Sequence, residues 1–297
     1  MLLNKTAYIF MVYMKKIIFV CLFSLFCSQM LYAEENFITF DENWAISLFL
    51  NNKNGFFYQT DDSYYRTNRP LTIGLGLSYK WFSISGSFSV PFTGIKSSLD
   101  LDFELIAFFN RVYFTGYFKN YHHYYIADTN ETIELGTLSA GVAATYIHNY
   151  QNHSLESTIK MNKKQNVSNG SLLYSLGVFI SSYFFPSAAN KDFAGTQRLY
   201  YFGPGIGYSY IWVLKNGLFF NTSVVLFTNA GINQNTNRWL FIPLIDPNFV
   251  FGYHLNTWSF NIKMQSNITV WLEDFKINSN RTFMGSINIG LTVSKRF

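Results

Sequence analysis

Residues 287–297 read Ile-Asn-Ile-Gly-Leu-Thr-Val-Ser-Lys-Arg-Phe, in which apolar residues alternate with small or polar ones. Because successive side chains of a β-strand point to opposite faces, this stretch predicts a strand with one apolar and one polar face. Exposed on a soluble protein, such a strand would invite edge-to-edge aggregation. A membrane barrel pairs it with the first strand and turns its apolar face to lipid. The stretch therefore predicts a transmembrane β-barrel.

The aromatic residue at position 297 indicates in which membrane the barrel lies. An ending on Phe297 resembles the C-terminal signal by which outer-membrane barrels are recognised for assembly, although Lys295 stands where an apolar or aromatic residue is usual. We therefore predict a barrel in the bacterial outer membrane. Its expected partners are outer-membrane lipid and the barrel-assembly machinery.

The composition favours membrane strands over helices. Of the 297 residues, 49% are hydrophobic and 20% aromatic, while only 13% are charged. Ordinary soluble domains carry about 25% charged residues. After the N-terminus no stretch reaches the roughly 20 apolar residues that a transmembrane helix needs.

The N-terminus is predicted to be a secretory signal peptide spanning residues 1–33, with its natural start at Met14. Lys15-Lys16 supplies the basic region, and residues 17–26 supply the apolar core. The barrel domain then occupies residues 34–297.

Removal of this signal changes the charge and the redox chemistry of the chain. Both cysteines, Cys21 and Cys27, lie within it, so the mature chain is predicted to contain no disulfide. Without Lys5, Lys15 and Lys16, 19 of the 22 basic residues face 17 acidic ones, a net charge of +2. Such a balance gives no reason to expect nucleic acid as a partner.

Neighbouring alternating stretches predict antiparallel hairpins. A turn at Lys80-Trp81 joins residues 71–79 to residues 82–90 and sets Leu71 opposite Val90 with both on the apolar face. A turn at Lys215-Asn216-Gly217 sets Trp212 opposite Phe220 in the same way.

Residues 154–162 predict a weaker strand, and residues 230–245 predict a loop. Single-chain bacterial barrels have even strand counts. We predict an all-β, up-and-down antiparallel barrel of about twelve strands, with fourteen or ten as the alternatives.

Charged residues are predicted on the lumenal face. A turn at Phe109-Asn110 keeps the apolar faces of the flanking strands on lipid and sets Asp100 opposite Lys119. We predict a lumenal charge ladder from the following residues: Asp100, Asp102, Glu104, Arg111, Lys119, Lys160 and Lys263. The ladder forms either a charged constriction in an open channel or ion pairs in a filled lumen, and small barrels usually fill their lumen.

The sequence shows no catalytic, metal or cofactor motif. The alternating serines of residues 83–89 suit a polar lumen and have no histidine motif beside them. His122-His123 are adjacent and point apart on an extended segment, so they make a poor chelate. The glycines of residues 203–207 lack the lysine and hydroxyl residue of a phosphate loop. We predict no cofactor and no enzymatic activity.

Two glycine- and aromatic-rich blocks carry a family resemblance. Pro70–Phe82 and Phe202–Tyr210, the latter with the following Lys215-Asn216-Gly217 turn, resemble a family of predicted outer-membrane proteins catalogued as a domain of unknown function, number forty-four twenty-one. The resemblance covers roughly residues 40–297 and implies a barrel. The family carries no known catalytic residues, so it assigns none here.

The predicted function is a small porin-like channel or a barrel that binds and transports a small solute. A structural or surface-interaction barrel acting through extracellular loops, such as Tyr121–Thr132, is the alternative, and an outer-membrane enzyme is the third reading. The sequence leaves the solute, the oligomeric state and the openness of the lumen undetermined.

Overall fold

The structure is a computed structural model, and it describes residues 37–59, 64–67, 71–90, 99–126, 132–185, 195–214, 217–273 and 281–297. The predicted signal peptide at residues 1–33 lies outside the described residues.

The described residues form strands and one short helix. In chain order these are β1 (Phe37–Thr39), β2 (Trp44–Gln59), β3 (Tyr64–Thr67), β4 (Leu71–Tyr79), β5 (Phe82–Val90), β6 (Leu99–Phe109), β7 (Val112–Ile126), β8 (Thr132–Ile147), α1 (Glu156–Ile159), β9 (Lys163–Gln165), β10 (Asn169–Phe185), β11 (Gly195–Val213), β12 (Leu218–Asn233), β13 (Arg238–His254), β14 (Trp258–Glu273) and β15 (Arg281–Arg296).

Twelve of these strands close into an antiparallel ring. Its order is β2, β4, β5, β6, β7, β8, β10, β11, β12, β13, β14 and β15, and β15 pairs back onto β2, with Leu291 opposite Leu50. Because the ring closes, the described wall has no unpaired edge strand. A sheet that spans a membrane must have no such edge. The predicted transmembrane barrel of twelve strands is confirmed. Within the described ranges, no helix is long and apolar enough to cross a membrane.

The outer surface of the ring is an apolar band. Leu48, Leu75, Ile84, Phe103 and Ile289 are all exposed although large and apolar. Each of them alternates along its strand with a residue that faces the lumen. This alternation is the pattern of a strand with lipid on one side and a polar interior on the other.

Aromatic rings form a girdle at one end of the barrel. Trp44 packs on Tyr79 with ring centroids 4.3 Å apart, and Trp212 stacks on Phe220 at 5.2 Å. This end also carries the tight turns at Lys80-Trp81, Asn110-Arg111 and Asn256-Thr257, and we call it the turn end. Such girdles mark the interfacial region of membrane barrels.

The predicted registers of two hairpins are confirmed. Leu71 lies opposite Val90, and Trp212 lies opposite Phe220. Lys80 has a φ of +42°, the left-handed conformation that a two-residue hairpin turn uses. The hydrophobic faces and the turn geometry together fix these registers.

The opposite end, which we call the loop end, is narrower. There β3 pairs with β2 through Phe57–Tyr65 and with β7 through Tyr65–Ile126. The strands β4, β5 and β6 do not reach this level, so β3 replaces three strands by one. The wall narrows from twelve strands to ten, which leaves less lumen for side chains to fill.

Three sequence predictions about strands and loops are wrong. The predicted loop Tyr121–Thr132 is shorter than expected, because β7 extends to Ile126. Residues 154–162 contain helix α1 inside the barrel and form no wall strand. Residues 230–245 are strand and turn, because β12 extends to Asn233 and β13 begins at Arg238. Pro243 and Pro247 both lie within β13.

Candidate solute site in the lumen

The connection between β8 and β10, residues 148–168, folds into the lumen at the turn end, and we call it the inserted segment. Most of its central side chains are buried, including Leu155, Thr158 and Met161. Its strand β9 pairs with β1, with Phe37 opposite Gln165. The inserted segment therefore closes the turn end of the lumen with a folded unit.

Glu156 organises the inserted segment. Its Oε1 accepts hydrogen bonds from Lys160 Nζ at 2.8 Å and Asn162 Nδ2 at 3.0 Å, while Oε2 lies 3.1 Å from Lys163 Nζ. Met161 then takes a φ of +59° and ends the helical turn. One carboxylate thus holds three side chains of the segment in place.

Two of these side chains also reach the barrel wall. Lys160 Nζ and Asn162 Nδ2 both donate to the backbone carbonyl of Lys80, the latter at 2.9 Å. Lys80 lies in the turn between β4 and β5. The segment is therefore attached to this wall through one carbonyl group and two donors.

Arg296 attaches the segment to another part of the rim, at β15 and the turn between β13 and β14. This side chain, only 2% exposed, donates from Nη1 to Met161 O at 2.8 Å and from Nη2 to Leu255 O and Asn256 O, both at 2.6 Å. Its guanidinium carbon lies 3.7 Å from the ring centroid of Phe40. Arg296 therefore joins the last wall strand, a wall turn and the inserted segment.

Burial and neighbouring charges determine which side chains of the inserted segment are ionised. Burial lowers the pKa of His153 to about 4, although its Nδ1 hydrogen-bonds to Asn169 O at 3.1 Å. Burial also opposes ionisation of Glu156, but the charges of Lys163 and Lys160 outweigh it and hold the pKa of the carboxyl below its ordinary value. At neutral pH the seated segment thus holds a neutral His153 and an ionised Glu156.

Aromatic side chains fill the lumen at the loop end. We call the following set the aromatic cluster: Phe57, Tyr65, Tyr124, Phe179, Tyr183, Tyr201, Phe227 and Trp271. Tyr183 and Trp271 meet edge to face at 4.6 Å, and Phe179 stacks on Tyr201 at 5.2 Å. Contacts of this kind stabilise beyond the area that they bury.

Inward glycines give these rings their space. A side chain on Gly177 would lie 2.4 Å from the Phe179 ring, and one on Gly205 would lie 2.8 Å from the Phe227 ring. These inward glycines therefore face aromatic rings that lie flat on the wall.

A cavity of about 290 Å³ lies between the inserted segment and the aromatic cluster. Leu155, Ile159 and Met161 line it from the segment, and Phe179 and Phe227 line it from the cluster. Its side walls are polar, with hydroxyl, amide and charged groups. A cavity lined by both polar and apolar side chains can hold a small solute that carries polar groups.

An amide belt crosses one wall of this cavity. Ser223, Asn248, Gln265, Asn288 and Lys53 are directly paired across five neighbouring strands, from β12 to β2. All five line the cavity. The belt offers hydrogen-bond donors and acceptors at one level of the lumen.

The predicted pairing of Asp100 with Lys119 is wrong, because the residue opposite Lys119 lies two positions further along β6. The turn is Asn110-Arg111, with Asn110 at a φ of +44°, and it sets Asp102 opposite Lys119. Asp100 lies opposite Tyr121, is 4% exposed and does not line the cavity. The faces were predicted correctly, because a shift of two residues keeps every side chain on its side of the sheet.

The structure places the residues of the predicted charge ladder in different surroundings. Asp102, Glu104, Lys119 and Lys263 project from the wall and line the cavity. Arg111 lies in the turn and donates to Tyr150 OH at 2.9 Å. Lys160 lines the cavity from the inserted segment, so it belongs to no wall strand.

Two charged residues of the cavity were missed. Lys53 forms an ion pair with Asp102, and Asp246 lines the opposite wall. Lys53 follows Asn51 and Asn52, and Asp246 stands beside Pro247, residue types that are depleted in strands. Each nonetheless stands at a position whose side chain points into the lumen when the alternation of its strand is extended. Predicting longer strands would therefore have found both residues.

A sequence model of the family described as a domain of unknown function, DUF4421, matches residues 37–292. The chain belongs to this family. The match spans the DUF4421 barrel from β1 into β15 and confirms the resemblance carried by the two glycine-rich blocks. No curated protein matches the chain.

Solved barrels resemble the DUF4421 chain at low identity. The outer membrane protease OmpT from Escherichia coli is 9% identical over 91% of this chain and 100% of its own, with a TM-score of 0.36. The β domain of the Bordetella autotransporter BrkA is 8% identical over 86% and 100%, with a TM-score of 0.43. The toluene transporter TodX of Pseudomonas putida is 8% identical over 86% and 90%, with a TM-score of 0.33.

Proposed function

We propose that this chain is a bacterial outer-membrane barrel that binds a small polar solute in its lumen and passes it when the inserted segment withdraws. The observation that carries the proposal is the polar cavity between the inserted segment and the aromatic cluster. A barrel with a purely structural lumen could fill this space with apolar side chains. The proposal assigns the chain no enzymatic activity.

The orientation follows from the connections. Outer-membrane barrels have short periplasmic turns and longer extracellular loops. We infer that the turn end faces the periplasm, so the inserted segment closes the periplasmic side. We also infer that lipid surrounds the apolar band and that the barrel-assembly machinery recognises the strand ending in Phe297, which is exposed at the turn end.

The inserted segment is built to move as a unit. Its internal contacts around Glu156 are numerous, whereas its described hydrogen bonds to Lys80 converge on one carbonyl oxygen. Arg296, Arg111 and Val213 of the wall also hydrogen-bond to the segment, and Leu155 and Met161 pack among buried wall side chains, so withdrawal must break these contacts while the pairing of the wall strands stays intact. Withdrawal opens the cavity toward the periplasm.

Conductance in planar bilayers tests this proposal. The wild-type barrel should stay mostly closed, whereas Lys160→Met with Asn162→Ala should raise the open-to-closed ratio about tenfold or more, because it removes both donors to Lys80 O. Lys164→Met with Asn166→Ala is the matched control, since it makes the same changes elsewhere in the segment.

Equal conductance of the two double variants would contradict the proposal. A barrel that conducts in neither form would favour the alternative, a structural or surface-interaction barrel acting through its extracellular loops.

A further inference from the structure

Apart from the Lys53–Asp102 ion pair, opposite walls of the cavity each carry one acid and one lysine. Glu104 on β6 and Lys119 on β7 face Asp246 on β13 and Lys263 on β14. In the ring of twelve strands, β6 and β13 are six positions apart, as are β7 and β14, so the two sets lie across the lumen. Both signs of charge therefore reach the same cavity from both sides.

These four groups form no ion pair with one another among the described residues, although the charges of Lys119 and Lys263 act on Asp246, which also hydrogen-bonds to Gln265. The ion pairs among the described residues are Lys53–Asp102, Lys160–Glu156 and Lys163–Glu156, and none includes a member of the two sets. Lys119 lies over the Tyr117 ring, with its Nζ 5.2 Å from the centroid. Charges held apart in a sheltered space retain a strong field for a ligand.

We propose that the cavity is a binding site for a small zwitterionic solute of the amino-acid or short-peptide class. Its carboxylate binds Lys119 or Lys263, and its ammonium group binds Glu104 or Asp246. The amide belt satisfies the remaining polar groups of the solute. This inference rests on the proposed function, because the solute reaches the site only when the inserted segment withdraws.

The size and the charge balance of the cavity both fit this class. A volume of about 290 Å³ has room for several water molecules and therefore for a solute of few heavy atoms. A ligand with one sign of charge would leave the opposite groups unpaired, which is unfavourable in a sheltered site. Among the described residues, no group of three or more His, Cys, Asp or Glu side chains is placed to hold a metal ion.

Calorimetric titration of the detergent-solubilised barrel tests the inference with three probes. L-alanine carries both charges, L-alaninamide carries only the ammonium, and N-acetyl-L-alanine carries only the carboxylate. Both the wild type and Lys160→Met with Asn162→Ala are titrated. We expect alanine to bind at least tenfold more tightly than either analogue, because charge-assisted hydrogen bonds are stronger than neutral ones.

Charge-removing variants then identify which side chains bind each charged group of the solute. Lys119→Gln with Lys263→Gln should weaken alanine and N-acetylalanine but not alaninamide, and Glu104→Gln with Asp246→Asn should weaken alanine and alaninamide but not N-acetylalanine. Lys295→Gln is the matched control, because Lys295 points outward beside Trp258 and Phe297 and should change none of the three affinities.

Equal binding of the three probes, or no binding of alanine to a segment variant that conducts, would overturn this inference and leave the proposed function intact. Failure of the segment variant to conduct would instead count against the proposed function. The comparison of probes on the wild-type barrel needs no substitution, so it stands even if a variant does not assemble.

Discussion

Arg296→Met should release the inserted segment from the rim. The substitution keeps an unbranched apolar side chain but removes the guanidinium, which is buried and donates to Met161 O at 2.8 Å. A hydrogen bond to a charged group contributes about 1.5–3 kcal/mol, and stacking of a cation on a ring such as Phe40 contributes about 1 kcal/mol. The seated state should therefore lose about 3 kcal/mol, a change of about 150-fold in the ratio of open to seated barrels.

The assay is limited proteolysis of the inserted segment in the folded, detergent-solubilised barrel, read by cleavage between residues 148 and 168. The change in cleavage rate follows the open population when opening is fast relative to cleavage. Lys295→Met is the matched control, since that side chain is adjacent in sequence and points outward over Trp258. Equal cleavage of the two variants, with heat-modifiable migration showing that both are assembled, would refute the assignment of Arg296 as an anchor.

Three further predictions test the wall, the segment and the lumen. Leu75→Arg on the lipid face should cost about 2–4 kcal/mol of folding free energy in lipid vesicles, whereas Thr292→Arg on the lumenal face should cost less; equal costs would refute the facing. His153 has a pKa of about 4 when seated and an ordinary value near 6.5 when exposed, so seating is fully stable above about pH 6.5 and loses up to about 3 kcal/mol as the pH falls toward 4. Limited proteolysis at pH 5 and pH 7.5 measures this loss, and His153→Gln should reduce the difference in cleavage rate between the two pH values. An unchanged difference would contradict the assignment of the loss to His153. Asp102→Asn should destabilise the barrel by about 1–3 kcal/mol because it removes the ion-pair partner of the buried Lys53, and adding Lys53→Met should restore most of that loss; additive losses in urea unfolding would show that the pair is not coupled.

The wall of the barrel was predictable because period-2 alternation is a local property. Each strand needs one lipid face and one lumenal face, so the pattern in residues 71–90 determines both the strands and their register. The hairpin at Asn110 shows the limit of this reasoning. Moving the turn by one residue shifts the pairing by two and preserves both faces, so polarity alone could not separate Asp102–Lys119 from Asp100–Lys119.

The lumen was less predictable because its contents come from distant parts of the chain. Residues 154–162 show weak alternation, yet their place is determined by Lys80 and Arg296, which lie far away in sequence. The narrowing at the loop end depends on β3, a strand of four residues within a polar stretch. Neither arrangement has a local periodic signal.

Cysteine labelling at Ser85 tests most directly whether the inserted segment closes a lumenal cavity. The described residues contain no cysteine, and Ser85 lines the cavity, so Ser85→Cys supplies a unique reporter there. Val167→Cys, on an exposed position of the segment, is the accessible reference. We expect a small charged thiol reagent to label Ser85→Cys slowly in the wild-type background and much faster beside Arg296→Met, while Val167→Cys labels rapidly in both. Rapid labelling of Ser85→Cys in the wild-type background, at a rate that Arg296→Met leaves unchanged, would contradict a cavity closed by the inserted segment.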